Sequence, residues 1–215
     1  MNGLMDLLSG GFLPRFMAGM VVNFEIALIS IAVGLALGML LALGRLAGGA
    51  LGGATASLVA LMRAAPTFVV MFFLLNAVPR DARLFGISFA LSGVMTVALS
   101  LVPYSAAYVA DAGLDMLRHL RAGATHGALL FLPNVTRAFF VLVMSSSAGA
   151  AIGVTEGITV ILRQAEQLPV LGDRLALFAV GIVLFGIPLQ VAFILIGMIQ
   201  RHLGRAAEVT DEASA

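Results

Sequence analysis

Residues 17–46 read MAGMVVNFEIALISIAVGLALGMLLALGRL, thirty positions whose only charged side chains are Glu25 and Arg45. A helix needs about 20 predominantly apolar residues to cross a bilayer. This run is long enough to cross with tilt, and its reading decides the fold class. The rest of the chain agrees. Apolar residues make up 61% of the 215 positions and charged residues 11%, with a mean hydropathy of +1.09. A soluble domain is about half apolar and a quarter charged, so this chain has too little polar surface to face water.

Four further apolar runs follow, at about 52–78, 85–110, 125–151 and 175–200. They predict an all-α integral membrane protein of about five spans. The runs are too long and too continuously apolar for the alternating strands of an outer-membrane barrel. Arg63 and Pro66 fall in the second run, Pro103 in the third, Leu-Pro-Asn at 132–134 in the fourth and Pro188 in the fifth. Each proline frees a backbone carbonyl and permits a kink. The segment 153–174 is only moderately apolar and is expected to lie at the membrane interface. We expect an N-terminal segment at 1–16, one transmembrane domain at 17–204 and a disordered polar tail at 205–215. The N-terminus lacks a basic region and an A-x-A site, so no removable signal peptide is read.

Several functions lack their parts. There is no cysteine, hence no disulfide and no thiolate ligand or nucleophile. His119, His126 and His202 are not at metal-ligand spacing. No Gly-rich phosphate loop, HExxH helix or G-x-S-x-G elbow occurs, so the chain is neither an ATPase nor one of those hydrolases, and no cofactor is expected. The net charge of +1 and the lack of a basic cluster exclude a nucleic-acid partner. All twelve cationic residues are arginine. With the N-terminus outside, the eleven other than Arg137 divide six inside to five outside, too even for the positive-inside rule to orient the chain.

The charged island DAGLDMLRHLRAGA at 111–124 interrupts the apolar runs. Read as a helix over 111–121, it places Leu114, Leu117 and Leu120 on one side and Asp111, Asp115, Arg118 and His119 largely on the other. Asp115 can then meet Arg118 or His119. This predicts a short amphipathic helix lying flat at the membrane surface. Glycines four apart, at Gly34 and Gly38 and at Gly149, Gly153 and Gly157, predict helix faces that approach closely, mainly within one subunit.

Four segments, in order, resemble the transmembrane subunits of polar amino-acid ABC importers, the histidine/glutamine permease family. They are the first span, with Gly19, Gly38 and the acidic Glu25; LVALMRAAPTFVVMFFLL at 58–75, with Arg63 and Pro66; LSLVPYSAAYVAD at 99–111, with Tyr108 and with Asp111 where the family has Glu; and FLPNVTRAFFVLVMSSSAGAAIGVTEGI at 131–158, ending on Glu156. The resemblance covers about residues 17–200. It implies a type I importer permease bundle in a bacterial inner membrane. By the same resemblance, the bundle would pair with a second permease subunit, receive solute from a periplasmic binding protein and be driven by a cytoplasmic ATPase. Two departures stand out. The family's cytoplasmic excursion with its Glu-Ala-Ala coupling helix is replaced by the short 111–124 stretch. The family's Lys-Asp-Thr-Ser-Leu run becomes Met144 to Ala148, in which only Ser147 survives.

The candidate residues for a substrate path or gate are therefore Glu25, Arg63, Pro66, Tyr108, Arg137, Ser147 and Glu156. The partner-facing helix would present Asp111, Asp115, Arg118, His119 and Arg121. Arg137 lies inside an apolar run and needs a carboxylate or exposed backbone carbonyls, with Glu25 and Glu156 as the candidate carboxylates. A permease fold uncoupled from any ATPase, acting as channel, carrier or accessory subunit, is the alternative.

Overall fold

The computed structural model describes residues 8–78, 83–84, 87–88 and 91–214, with side chains placed over 10–78, 91–124 and 127–202. Among the described residues the chain is helical throughout, apart from a two-residue hairpin in which β1 (Arg83–Leu84) pairs antiparallel with β2 (Ile87–Ser88). The helices are α1 (Leu13–Ala47), α2 (Gly49–Ala64), α3 (Thr67–Ala77), α4 (Gly93–Arg121), α5 (Thr125–Leu129), α6 (Phe131–Ser145), α7 (Gly157–Glu166) and α8 (Leu171–Ser214). A π-turn at Leu8–Phe12 precedes α1, and a 3-10 segment at Ser146–Ile152 extends α6. Four of these elements are long and apolar enough to cross a membrane; α2 and α3, bent by 92°, make a fifth span if taken together.

The centre of the bundle is the seam between α1 and α4, and the two helices run parallel. Ser30 Oγ donates to the Ala98 carbonyl at 2.9 Å. Gly38 lies on Val109 and Ala106, Met39 and Ala42 on Gly113, and Arg45 reaches Asp111. A Cβ on Gly38 would stand 2.6 Å from Val109 Cβ and 2.7 Å from the Ala106 carbonyl oxygen. Glycine is therefore what lets the two backbones meet, as expected where lipid provides no hydrophobic drive between helices. Parallel neighbours require the intervening chain to return across the bilayer. That is the task of the α2–α3 pair, which breaks at Ala65 and Pro66, both extended. Pro66 disfavours a helical residue before it and cannot donate into a helix that continues through it. Met71 of α3 is buried with Ile26 of α1, Leu101 of α4 and Leu142 of α6.

Three expectations are corrected. The third span begins at Gly93, where Ser92 Oγ accepts from Met95 N at 3.1 Å, and not near 85; Ser92 is a good N-cap and the preceding stretch holds the hairpin. The 111–121 stretch is not a separate helix lying flat. It continues α4, because Gly113 and Leu114 carry the buried stripe onward and nothing breaks the helix before Gly123, at φ 77°. Gly149, Gly153 and Gly157 do not share one helix face. Gly149 sits in the 3-10 segment, Gly153 is left-handed at φ 82°, and Gly157 starts α7. Serines compete for backbone bonds and favour such a break. The backbone of α8 is helical to Ser214.

Candidate functional site

Depth in the bilayer follows from α1. Arg15 and Arg45 are thirty residues apart, about 45 Å of helix, which matches a bilayer with its headgroups at about 40–45 Å. By that length, a bilayer crossed by α1 would hold the two arginines at its two headgroup levels. Glu25 then lies about 15 Å inward from Arg15, within the hydrocarbon. It is exposed on the surface of the chain and makes no ion pair among the described residues.

On α4, Tyr104, Tyr108, Asp111 and Asp115 follow at i, i+4, i+7 and i+11, one face of the helix. The two tyrosine rings are tilted, with centroids 6.3 Å apart. Arg137 of α6 is exposed and lies near Tyr104. Tyr104 adjoins Ser105, which faces Gly34, so Arg137 also sits at hydrocarbon depth. A turn further on, Asp111 joins three helices: Oδ1 accepts from Arg45 Nη1 at 2.6 Å, and Oδ2 accepts from Arg63 Nη2. These features form a polar stripe running from mid-bilayer to the Arg45 end of the bundle. Asp111 thus ties α4 to the bundle's own arginines on α1 and α2. Past it, Asp115 meets Arg118 at 3.8 Å, while His119 packs beside Gly127. Arg118, His119 and Arg121 are the exposed or half-exposed basic end of α4.

Glu156 lies at the start of α7. It is fully buried and caps α7. Its Oε2 accepts from Ile158 N at 2.9 Å and Asn23 Nδ2 at 3.1 Å; its Oε1 accepts from Thr159 N at 2.7 Å and Thr159 Oγ1 at 2.9 Å. Asn23 also donates to Ser146 Oγ at 2.8 Å and accepts from Gly157 N at 3.0 Å. A carboxylate in lipid is tolerable when a helix N-terminus and side-chain donors surround it. Neither Glu156 nor Glu25 forms an ion pair with Arg137 among the described residues; Glu156 is already satisfied by its four donors.

Ser147 is separate again. It lines an apolar groove of about 660 Å³ between α6, α7 and α8, where Gln190 is the other polar side chain. Pro66 contributes the bend between α2 and α3. The structure pairs Arg63 with Asp111 and sets Tyr108 beside Tyr104, with Arg137 near that ring, while Ser147 lines the apolar groove and Glu156 caps α7. Sequence reading missed Arg45, Tyr104 and Asn23. The i, i+4, i+7 spacing of Tyr104, Tyr108 and Asp111 was available as a signal. So was Asn23, an amide inside a span, which must find a partner.

No protein-family model matches the chain, and no curated protein matches it by sequence. Among solved structures, its fold is similar to a chain of the crystal structure of an amino acid ABC transporter with histidines, at a TM-score of 0.67 and 17% identity, covering 91% of this chain and 97% of that one. The class defined by the fold is a multi-pass helical membrane protein with the architecture of an amino acid ABC transporter's membrane chain.

Proposed function

We propose that this protein is the permease subunit of an ABC-type importer for polar amino acids or similar small solutes, in a bacterial inner membrane. The observation that carries the reading is the pair of charges, Glu25 and Arg137, exposed on the chain at hydrocarbon depth. Charge at that depth is costly against lipid and belongs beside a polar path or another subunit. A second permease subunit covering these faces would enclose such a path, with the Tyr104–Tyr108–Asp111 stripe along it. A periplasmic binding protein would deliver solute. A cytoplasmic ATPase would supply the hydrolysis, so the subunit itself is not an enzyme. The basic end of α4 at Arg118, His119 and Arg121 is the surface that would meet it.

One observation favours a second reading. The chain reverses through Ala122–Ala124 into the five-residue α5, with no long cytoplasmic helical excursion. A permease fold uncoupled from ATPase, working as channel, gradient-driven carrier or accessory subunit, would need none. Gentle purification of the tagged protein from its native membrane separates the two. A nucleotide-binding ATPase at stoichiometric amount supports the importer. A stable complex of the membrane subunit without any ATPase overturns it in favour of the uncoupled reading.

A further inference from the structure

The opposite end of the bundle carries a cleft of about 460 Å³ between α1 and α7, a volume typical of small-molecule sites. It is lined by Arg15 of α1, by Arg163, Gln164 and Gln167 in and just after α7, and by Thr155 ahead of it. Its inner end is apolar, at Ala18, Val22 and Val160. No Asp or Glu is among the described lining residues. Its two walls are held in register by Gly19, where a Cβ would come within 2.8 Å of the Glu156 carbonyl carbon and Gly157 N.

From that contact α7 runs back along the first turns of α1, so that Ala165 and Leu168 pack with Phe12 and Phe16. Arg163 consequently stands at the level of Arg15, the headgroup level. Arg15 spends Nε and Nη2 on the carbonyls of Gly11 and Gly10, at 3.2 and 3.0 Å. That anchors the guanidinium, and its remaining donors have no partner among the described residues. Arg163 is exposed and has no hydrogen-bond or ion-pair partner among the described residues.

Two guanidiniums facing one cleft without a carboxylate repel one another unless an anion lies between them. Guanidinium forks and neighbouring amide and hydroxyl donors suit phosphate oxygens. The cleft is cationic at the headgroup level and apolar toward the bilayer interior. We infer that it binds a phosphate ester, with Arg15 and Arg163 on the phosphate and Ala18, Val22 and Val160 against the adjoining carbon chain. An anionic phospholipid of the leaflet in which α1 begins offers this chemistry, and so does a soluble phosphate ester.

The test uses the full-length purified protein, with native mass spectrometry of retained lipid and thermal unfolding as readouts. The probes are phosphatidylglycerol, zwitterionic phosphatidylcholine and soluble glycerol 3-phosphate. Phosphatidylglycerol is expected to bind about tenfold or more tighter than phosphatidylcholine, and R15Q/R163Q to remove the difference while R15K/R163K keeps most of it. Glycerol 3-phosphate that stabilises wild type but not R15Q/R163Q would also support the site, with the soluble ester as its ligand. R163Q alone alters only an exposed, unpaired side chain, so it keeps the fold and should by itself lose most of the preference. Equal retention of phosphatidylglycerol by wild type and R163Q, with no response to glycerol 3-phosphate in either, overturns the inference.

Discussion

Two acidic residues show how placement sets the worth of a charge. Asp111 bridges Arg45 and Arg63, but it is 41% exposed and Arg63 58%, so each pair contributes on the order of 1 kcal/mol or less. Glu156 is completely buried and serves four donors. Glu156→Ala removes a helix cap, worth about 0.5–2 kcal/mol, and strands buried N–H groups at about 1–3 kcal/mol. We expect a clearly lower unfolding temperature by circular dichroism in detergent, with Glu156→Gln intermediate because its amide oxygen can still accept. An unchanged melting temperature for Glu156→Ala would mean that water takes over the cap. Both residues were legible as motif positions, but their roles were not. Asn23 and Arg45 lie 133 and 66 residues from the carboxylates they serve, and no local pattern encodes such a pairing.

Among the elements, the α1–α4 seam and the α2–α3 break are linked, since parallel spans require a return path. Seam tightness is open to a paired substitution. In Gly38→Ala the new methyl meets backbone oxygen and Val109, whereas at Gly53 in α2 a Cβ meets nothing within 4 Å. Overpacking at Gly38 should cost about 1–3 kcal/mol, while Gly53→Ala should be neutral or stabilising, because alanine is the better helix former by about 1 kcal/mol. The same melts read both variants, and equal effects would remove the special role of the seam. Element existence was legible because hydropathy runs are properties of single segments. The ends were less so: the third span starts at a serine cap that hydropathy alone does not weigh, and the charged island is absorbed into α4 because its leucines and Gly113 prolong a buried stripe.

For the whole molecule, the question is what covers the exposed intramembrane charges. Under the proposed function, Glu25→Gln and Arg137→Gln should each lower uptake of polar amino acids into liposomes carrying the complete transporter, by about tenfold or more. Both should leave thermal stability near wild type, since neither side chain is buried and neither has a hydrogen bond or ion pair among the described residues. Undiminished uptake in both variants would place these residues outside any solute path. The absence of cysteine also makes paired cysteine cross-linking across a subunit interface clean to read.

The sequence by itself determined that this chain lives in lipid, that it is helical, roughly how many times it crosses, and which chemistries it lacks. Those follow from composition and from apolar runs, where each segment's transfer to the bilayer is decided almost independently of the others. Only the tertiary structure decided that α1 and α4 run parallel, that Asp111 turns inward to two arginines, that Glu156 is a buried cap, and that Arg15 and Arg163 share a cleft. Those depend on which faces meet, and in a bilayer meeting is governed by close backbone approach at glycines and by the satisfaction of polar groups across helices. Neither is a property of any one segment.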